Sequence, residues 1–135
     1  MSPSPTDRNG TKVRAVLVDD SATIRAVLRR RLEAGGEIEV VGMASDGLEA
    51  LDLIKHLRPD VVTLDIEMPR LDGLSTLARL MVEQPTPVVM VSGLTRDGAD
   101  ATIRALELGA VDFIEKPALA AGVGAAAVRT RAPAA

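Results

Sequence analysis

Val13-Arg14-Ala15-Val16-Leu17-Val18-Asp19-Asp20-Ser21 sets an apolar run directly against an acidic pair. A short β-branched run of this kind reads as a strand buried on both faces of a parallel sheet. Polar residues just past it lie at the sheet's carboxyl edge. The pattern recurs: Val61-Val62-Thr63-Leu64 leads into Asp65, Val88-Val89-Met90-Val91 into Ser92, and Asp112-Phe113-Ile114-Glu115 into Lys116-Pro117. In open α/β sheets that edge holds the site, where the strand order reverses. Three carboxylates, a hydroxyl and an ammonium delivered to one edge therefore mark a site.

Strand-like and helix-like runs alternate five times, which predicts an α/β fold with a doubly wound, five-stranded parallel sheet. Strands are expected over Val13 to Val18, Ile38 to Met43, Val61 to Leu64, Val88 to Val91 and Val111 to Ile114. The first helix carries Ile24, Val27, Leu28 and Leu32 on one stripe and stops at Gly35-Gly36. Asp46 with Glu49 resembles a capping box for a second helix, with Leu48, Leu51, Ile54 and Leu57 inward and Pro59 enforcing its end. Leu74, Leu77, Ala78 and Met81 stripe the third, closed by Pro85 and Pro87. Asp97 can cap a fourth, with Ile103, Leu106 and Ala99 inward. A weak fifth helix is expected over 118–129, since Gly122 and Gly124 each cost about 1 kcal/mol against alanine. Residues 1–12 read as a disordered tail, 13–129 as one domain and 130–135 as tail or linker.

The 135 residues suit one domain, and 47% hydrophobic content supplies a core without staples. Cysteine is absent, which excludes disulfides and thiolate metal sites. No apolar stretch approaches a membrane span, and the first residues lack the apolar middle of a secretory signal, so cytoplasm is the default expectation. Net charge is −3 and Phe113 is the sole aromatic, which argues against a nucleic-acid partner.

Asp19, Asp20 and Asp65 decide the chemistry. Two carboxylates about 4 Å apart repel by roughly 4 kcal/mol at an effective dielectric near 20, so a cluster of three needs counter-charge. Lys116 supplies one, and Mg²⁺ is the natural candidate for the rest, binding through one or two carboxylates while keeping waters. A carboxylate beside a metal can attack a phosphoryl group, with Asp65 as acceptor and Lys116 and Ser92 answering the transferred oxygens. Taken singly, each residue has a plainer use. Asp19 or Asp20 can cap the first helix, Ser92 can be a turn residue before Gly93, and Lys116 can be a solvated loop lysine. A cis Lys116-Pro117 bond would aim the ammonium at the site, whereas trans is the commoner form, and the residues leave that open.

VLVDDS, TLDIEMPRLDGL, MVSGLT and FIEKP together resemble the receiver domains of bacterial response regulators, from about Val13 to Pro117. The resemblance implies a flavodoxin-like sheet of order 2-1-3-4-5. It further implies phosphorylation of Asp65 by a histidine kinase, with Mg²⁺ held by Asp20, Asp65, the Glu67 backbone carbonyl and water, assisted by Asp19. Lys116 would contact the phosphoryl group, Ser92 would swing toward it, and Phe113 would follow as a rotameric switch. That would reshape the fourth helix and fifth strand, with Thr95 and Arg96 on the partner-facing surface. The wording is most similar to the receiver half of chemotaxis methylesterases (CheB), which implies a CheA-like kinase and a downstream methylesterase domain as partner.

No Gly-x-Ser-x-Gly turn or catalytic histidine is present, so only self-phosphorylation and self-dephosphorylation are expected of these residues. His56 reads as a surface residue. Glu67 either hangs over the phosphoryl group or is a solvated loop glutamate, and Arg29-Arg30-Arg31 is either a solvated face or part of a kinase-docking surface. A stand-alone CheY-like regulator is the alternative reading. A phosphatase of the haloacid dehalogenase kind is a second, though it wants Asp-x-Asp where Glu67 stands.

Overall fold

The computed structural model describes residues 12–93, 96–122 and 124–132, the side chains of 96–99 excepted. The apolar runs form β1 (Val13–Val18), β2 (Ile38–Ala44), β3 (Val61–Asp65), β4 (Val88–Ser92) and β5 (Asp112–Glu115). They pair in parallel as one sheet of order β2-β1-β3-β4-β5. This is the flavodoxin-like order, and it reverses between β1 and β3. The acidic ends of those two neighbours therefore open onto one crevice.

The helices are α1 (Ala22–Glu33), α2 (Gly47–Leu57), α3 (Gly73–Glu83), α4 (Arg96–Leu108), α5 (Lys116–Ala120) and α6 (Ala125–Arg131). Alternate strand residues face opposite layers, so two cores form. Val13, Ala15 and Leu17 meet Leu28 and Leu32 of α1, Leu119 of α5 and Val128 of α6. Val16, Val18, Leu64 and Met90 meet Ala50 and Ile54 of α2, Leu77 and Leu80 of α3 and Ala105 of α4. Each large side chain buried this fully contributes about 1.5–3 kcal/mol.

Five expectations need correction. Val27 of α1, placed on the inward stripe, is 36% exposed. Leu48 of α2 is 46% exposed and Ala50 is buried in its stead. The first turn of α2 lies so close to the third that a Cβ on Gly47 would run into Thr76 Oγ1. In α4, Ile103 and Leu106 are exposed while Thr102 and Ala105 are buried. Small residues let that helix sit down on β4, and the bulky ones are left at its rim. The single helix over 118–129 is instead α5 and α6, parted by Gly122 (φ 93°) and Gly124 (φ 105°) in left-handed conformation. Thr130 and Arg131 belong to α6 and are not tail, and Ala132 packs against the first core. Expectations at 1–11, at Thr95, at Val123, at 133–135 and for the side chains of Arg96, Asp97 and Ala99 lie outside the described residues.

Gly73 begins α3 with its N–H donating to Ile66 O at 2.9 Å, and a Cβ there would strike the Asp65 carbonyl oxygen. Gly35 has open space where a Cβ would go. Gly73→Ala is accordingly expected to lose about 1–3 kcal/mol in urea denaturation. Gly35→Ala should stay within about 0.5 kcal/mol of the parent.

Candidate functional site

Asp19 follows β1 and is 1% exposed; Asp65 ends β3 and is 3% exposed. Asp20 is exposed beside them. One carboxylate oxygen from each lies within 4.8 Å of the others. Ser92 ends β4 and is buried, while Lys116 starts α5 immediately after β5. Among the residues walling the cleft, of about 540 Å³, are Asp20, Asp65, Met68, Pro69, Ser92 and Lys116. Every residue that the sequence placed at the carboxyl edge thus reaches one cleft, except Asp19, which lies just behind its wall.

The acids are spared for this cleft because another residue caps α1. Ser21 is the N-cap, its hydroxyl accepting from Ile24 N–H at 3.3 Å. Asp19 Oδ1 accepts the Ser21 N–H at 2.9 Å, and the Arg25 guanidinium donates to the Asp19 carbonyl at 2.7 Å. Arg25 was not legible as a brace: nothing in its spacing separates it from the other arginines of α1. The Lys116-Pro117 bond is trans, so the ammonium reaches the acids without a cis turn.

Lys116 Nζ stands 3.1 Å from Asp19 Oδ2 and 3.3 Å from Asp65 Oδ2. It bridges the two buried acids. Burial opposes the ammonium charge, but the Asp19 and Asp65 carboxylates outweigh it and hold the Lys116 pKa above its ordinary value. Burial also works on Asp65, and the Asp19 charge adds to it. Lys116 and the Glu67 N–H, 3.3 Å from Asp65 Oδ1, pull the other way, and the Asp65 carboxyl ends pushed up to about 6. One ammonium does not neutralise the cluster.

Asp19 Oδ2 is buried with its ion pair to Lys116 but without a hydrogen bond of good geometry. An all-oxygen donor set with residual negative charge and an underused buried oxygen fits a hard divalent cation and not a soft one. Glu67 is exposed and lines the cleft beside Met68. Phe113 lies on β5, 44% exposed, away from the cleft lining.

The family model of the response regulator receiver domain matches residues 15–127. The protein-glutamate methylesterase/protein-glutamine glutaminase of Lawsonia intracellularis is 59% identical over 103 residues, 76% of this chain and 29% of that protein. Its counterpart from Symbiobacterium thermophilum is 60% identical over 111 residues, 82% of this chain and 31% of that protein. The chain thus spans about three tenths of the length of these relatives, and their methylesterase catalytic domain is not among the 135 residues. The response regulator domain of Thermotoga maritima CheB superposes with a TM-score of 0.74 at 46% identity, covering 88% of this chain and 89% of that one. The receiver domain of a putative response regulator NarL from Mycobacterium tuberculosis gives 0.77 at 36% identity, covering 89% and 96%.

The raised Asp65 pKa fixes the sign of a stability test. Folding favours the protonated form, so this group's contribution is full below pH 3.8 and is lost as pH rises through about 6. In metal-free buffer, Asp65→Asn should exceed the parent by on the order of 1–2 kcal/mol at pH 7.5. In urea denaturation the difference should shrink as pH falls from about 6 and close below 3.8.

Proposed function

Since the chain belongs to the response regulator receiver domains, we propose that Asp65 is a phospho-acceptor switching a chemotaxis-type two-component pathway. The observation that carries this reading is the Asp65 carboxylate at 3.3 Å from Lys116, with both other acids within 4.8 Å, facing an open cleft.

An Asp65 oxygen attacks phosphorus of a phosphohistidine on a CheA-like histidine kinase. The O–P bond forms as the N–P bond breaks, and the imidazole leaves with a proton from solvent. A divalent ion, Mg²⁺, held by Asp19, Asp20, Asp65 and the Glu67 carbonyl, would supply charge neutralisation at the phosphoryl oxygens. Lys116, already beside Asp65, neutralises the added charge from the other flank. Ser92, one strand away at the cleft wall, offers its hydroxyl to a phosphoryl oxygen.

Aspartyl phosphate puts close to two negative charges where one carboxylate stood. Ser92 moving toward it leaves room behind, and Phe113 turns in to fill that room. Phe113 alternates with Ile114, which packs in the α1 layer, so its ring belongs to the α4 side of the sheet. Ile103, Leu106 and Val111 are likewise exposed there. This α4–β5 face is the two-state element that a downstream effector would read. In proteins built like the relatives, that effector is their methylesterase part. Among the described residues no helix is long and apolar enough to cross a membrane, which fits action in the cytoplasm.

Incubation with acetyl phosphate and Mg²⁺ should add the mass of one phosphoryl group to the intact protein. Omitting Mg²⁺ or substituting Asp65→Asn should abolish the addition; labelling of Asp65→Asn at the wild-type level would refute the assignment. Phe113 and His56 supply the only aromatic side-chain protons, since Trp and Tyr are absent. The Phe113 ring signals should therefore shift in a plain proton NMR spectrum on phosphorylation. Ring signals that stay put would remove Phe113 from the switch.

A further inference from the structure

The loop from β3 to α3 walls the cleft with Met68 and Pro69 and carries Glu67. Its base is closed by the Gly73 N–H to Ile66 O bond at 2.9 Å. Its far end rests on a different element, the N-terminus of α2. There the Gly47 N–H donates to Leu71 O at 3.2 Å, and Arg70 Nη2 stands 2.8 Å from Asp46 Oδ2.

Arg70 has φ 65°, a left-handed backbone that disfavours a side-chain-bearing residue and suits glycine or asparagine better. An arginine here is disfavoured by its own backbone, so the guanidinium has to return something. Its partner is unusually well placed. Asp46 has an 11% exposed side chain, and its two oxygens are divided between two tasks. Oδ1 caps α2 by accepting the Glu49 N–H at 2.9 Å, and Oδ2 takes Arg70. Glu49 in turn accepts the Ser45 N–H at 2.8 Å, so the carboxylate cannot drift without unwinding the cap. Gly47 has no room for a Cβ against Leu71 and Thr76, which keeps loop and helix in close approach.

We propose that Arg70 is a positioning residue that clamps the β3–α3 loop to the start of α2, so setting the backbone that presents the Glu67 carbonyl to a divalent cation. The clamp acts on the loop and never touches the phosphoryl group. It rests on the receiver reading for its consequence, but its existence is testable in the metal-free protein.

Two substitutions break the bridge while sparing the fold. Asp46→Asn keeps a good capping side chain. Arg70→Gly removes the guanidinium and relieves the left-handed backbone. Each should speed amide hydrogen exchange at Gly47 severalfold in metal-free protein, while the Glu49 amide keeps its protection. Each should weaken Mg²⁺ affinity about two- to fivefold, the scale of a partly exposed ion pair, with the unfolding midpoint in urea nearly unchanged. The double variant should be no worse than either single one. Wild-type exchange at Gly47 in both variants, wild-type Mg²⁺ affinity in both, or effects that add in the double variant would each overturn the clamp. Failure of the wild type to bind Mg²⁺ or accept phosphate would instead overturn the receiver chemistry, leaving the exchange data to judge the clamp.

Discussion

One ammonium facing too many carboxylates is the interaction on which this structure turns. Lys116 reaches both buried acids, Asp19 at 3.1 Å and Asp65 at 3.3 Å, while Asp20 adds a third anion at the surface. The two carboxylates hold the lysine in its charged form, while burial first and the Asp19 charge second push the Asp65 carboxyl up to about 6. A fully compensated cluster would be a static ion pair. An undercompensated one is a site waiting for positive charge, and its occupancy can be coupled to a chemical event.

The sheet order makes this imbalance possible. With β1 and β3 adjacent and their connections leaving in opposite directions, the two acidic strand ends meet at the crevice between them. Local capping then keeps the acids available. Ser21 takes the helix cap that Asp19 or Asp20 could have taken, while Arg25 holds the Asp19 carbonyl and the Ser21 N–H holds its carboxylate. Asp46 and Asp72 cap α2 and α3 in the same way, each accepting an N–H three residues on. The acids that cap and the acids that stay free are separated by position along the chain and not by type.

The strands and the convergence of Asp19, Asp20, Asp65, Ser92 and Lys116 were readable because short β-branched runs end abruptly in polar residues, and a parallel sheet sends every such end to one edge. Helix orientation was less readable wherever small residues do the packing. Ile103 and Leu106 dominate any hydrophobic stripe on α4, yet Thr102 and Ala105 face the sheet, since close approach to β4 rewards small volume over apolar area. The Arg70–Asp46 bridge left no trace in the sequence. An arginine carries no mark of a left-handed backbone, and its partner lies a whole α/β unit earlier. The break between α5 and α6 was half visible: Gly122 and Gly124 signalled weakness, and their positive φ values turned that weakness into a corner.

The central claim is that the acidic edge is undercompensated and that a divalent cation completes it. Thermal unfolding with increasing Mg²⁺ tests this most directly, because a ligand that binds only the folded state raises the midpoint with its concentration. The account predicts a midpoint that climbs with Mg²⁺ in the wild type and climbs much less in Asp20→Asn. A wild-type midpoint indifferent to Mg²⁺ at neutral pH would contradict it.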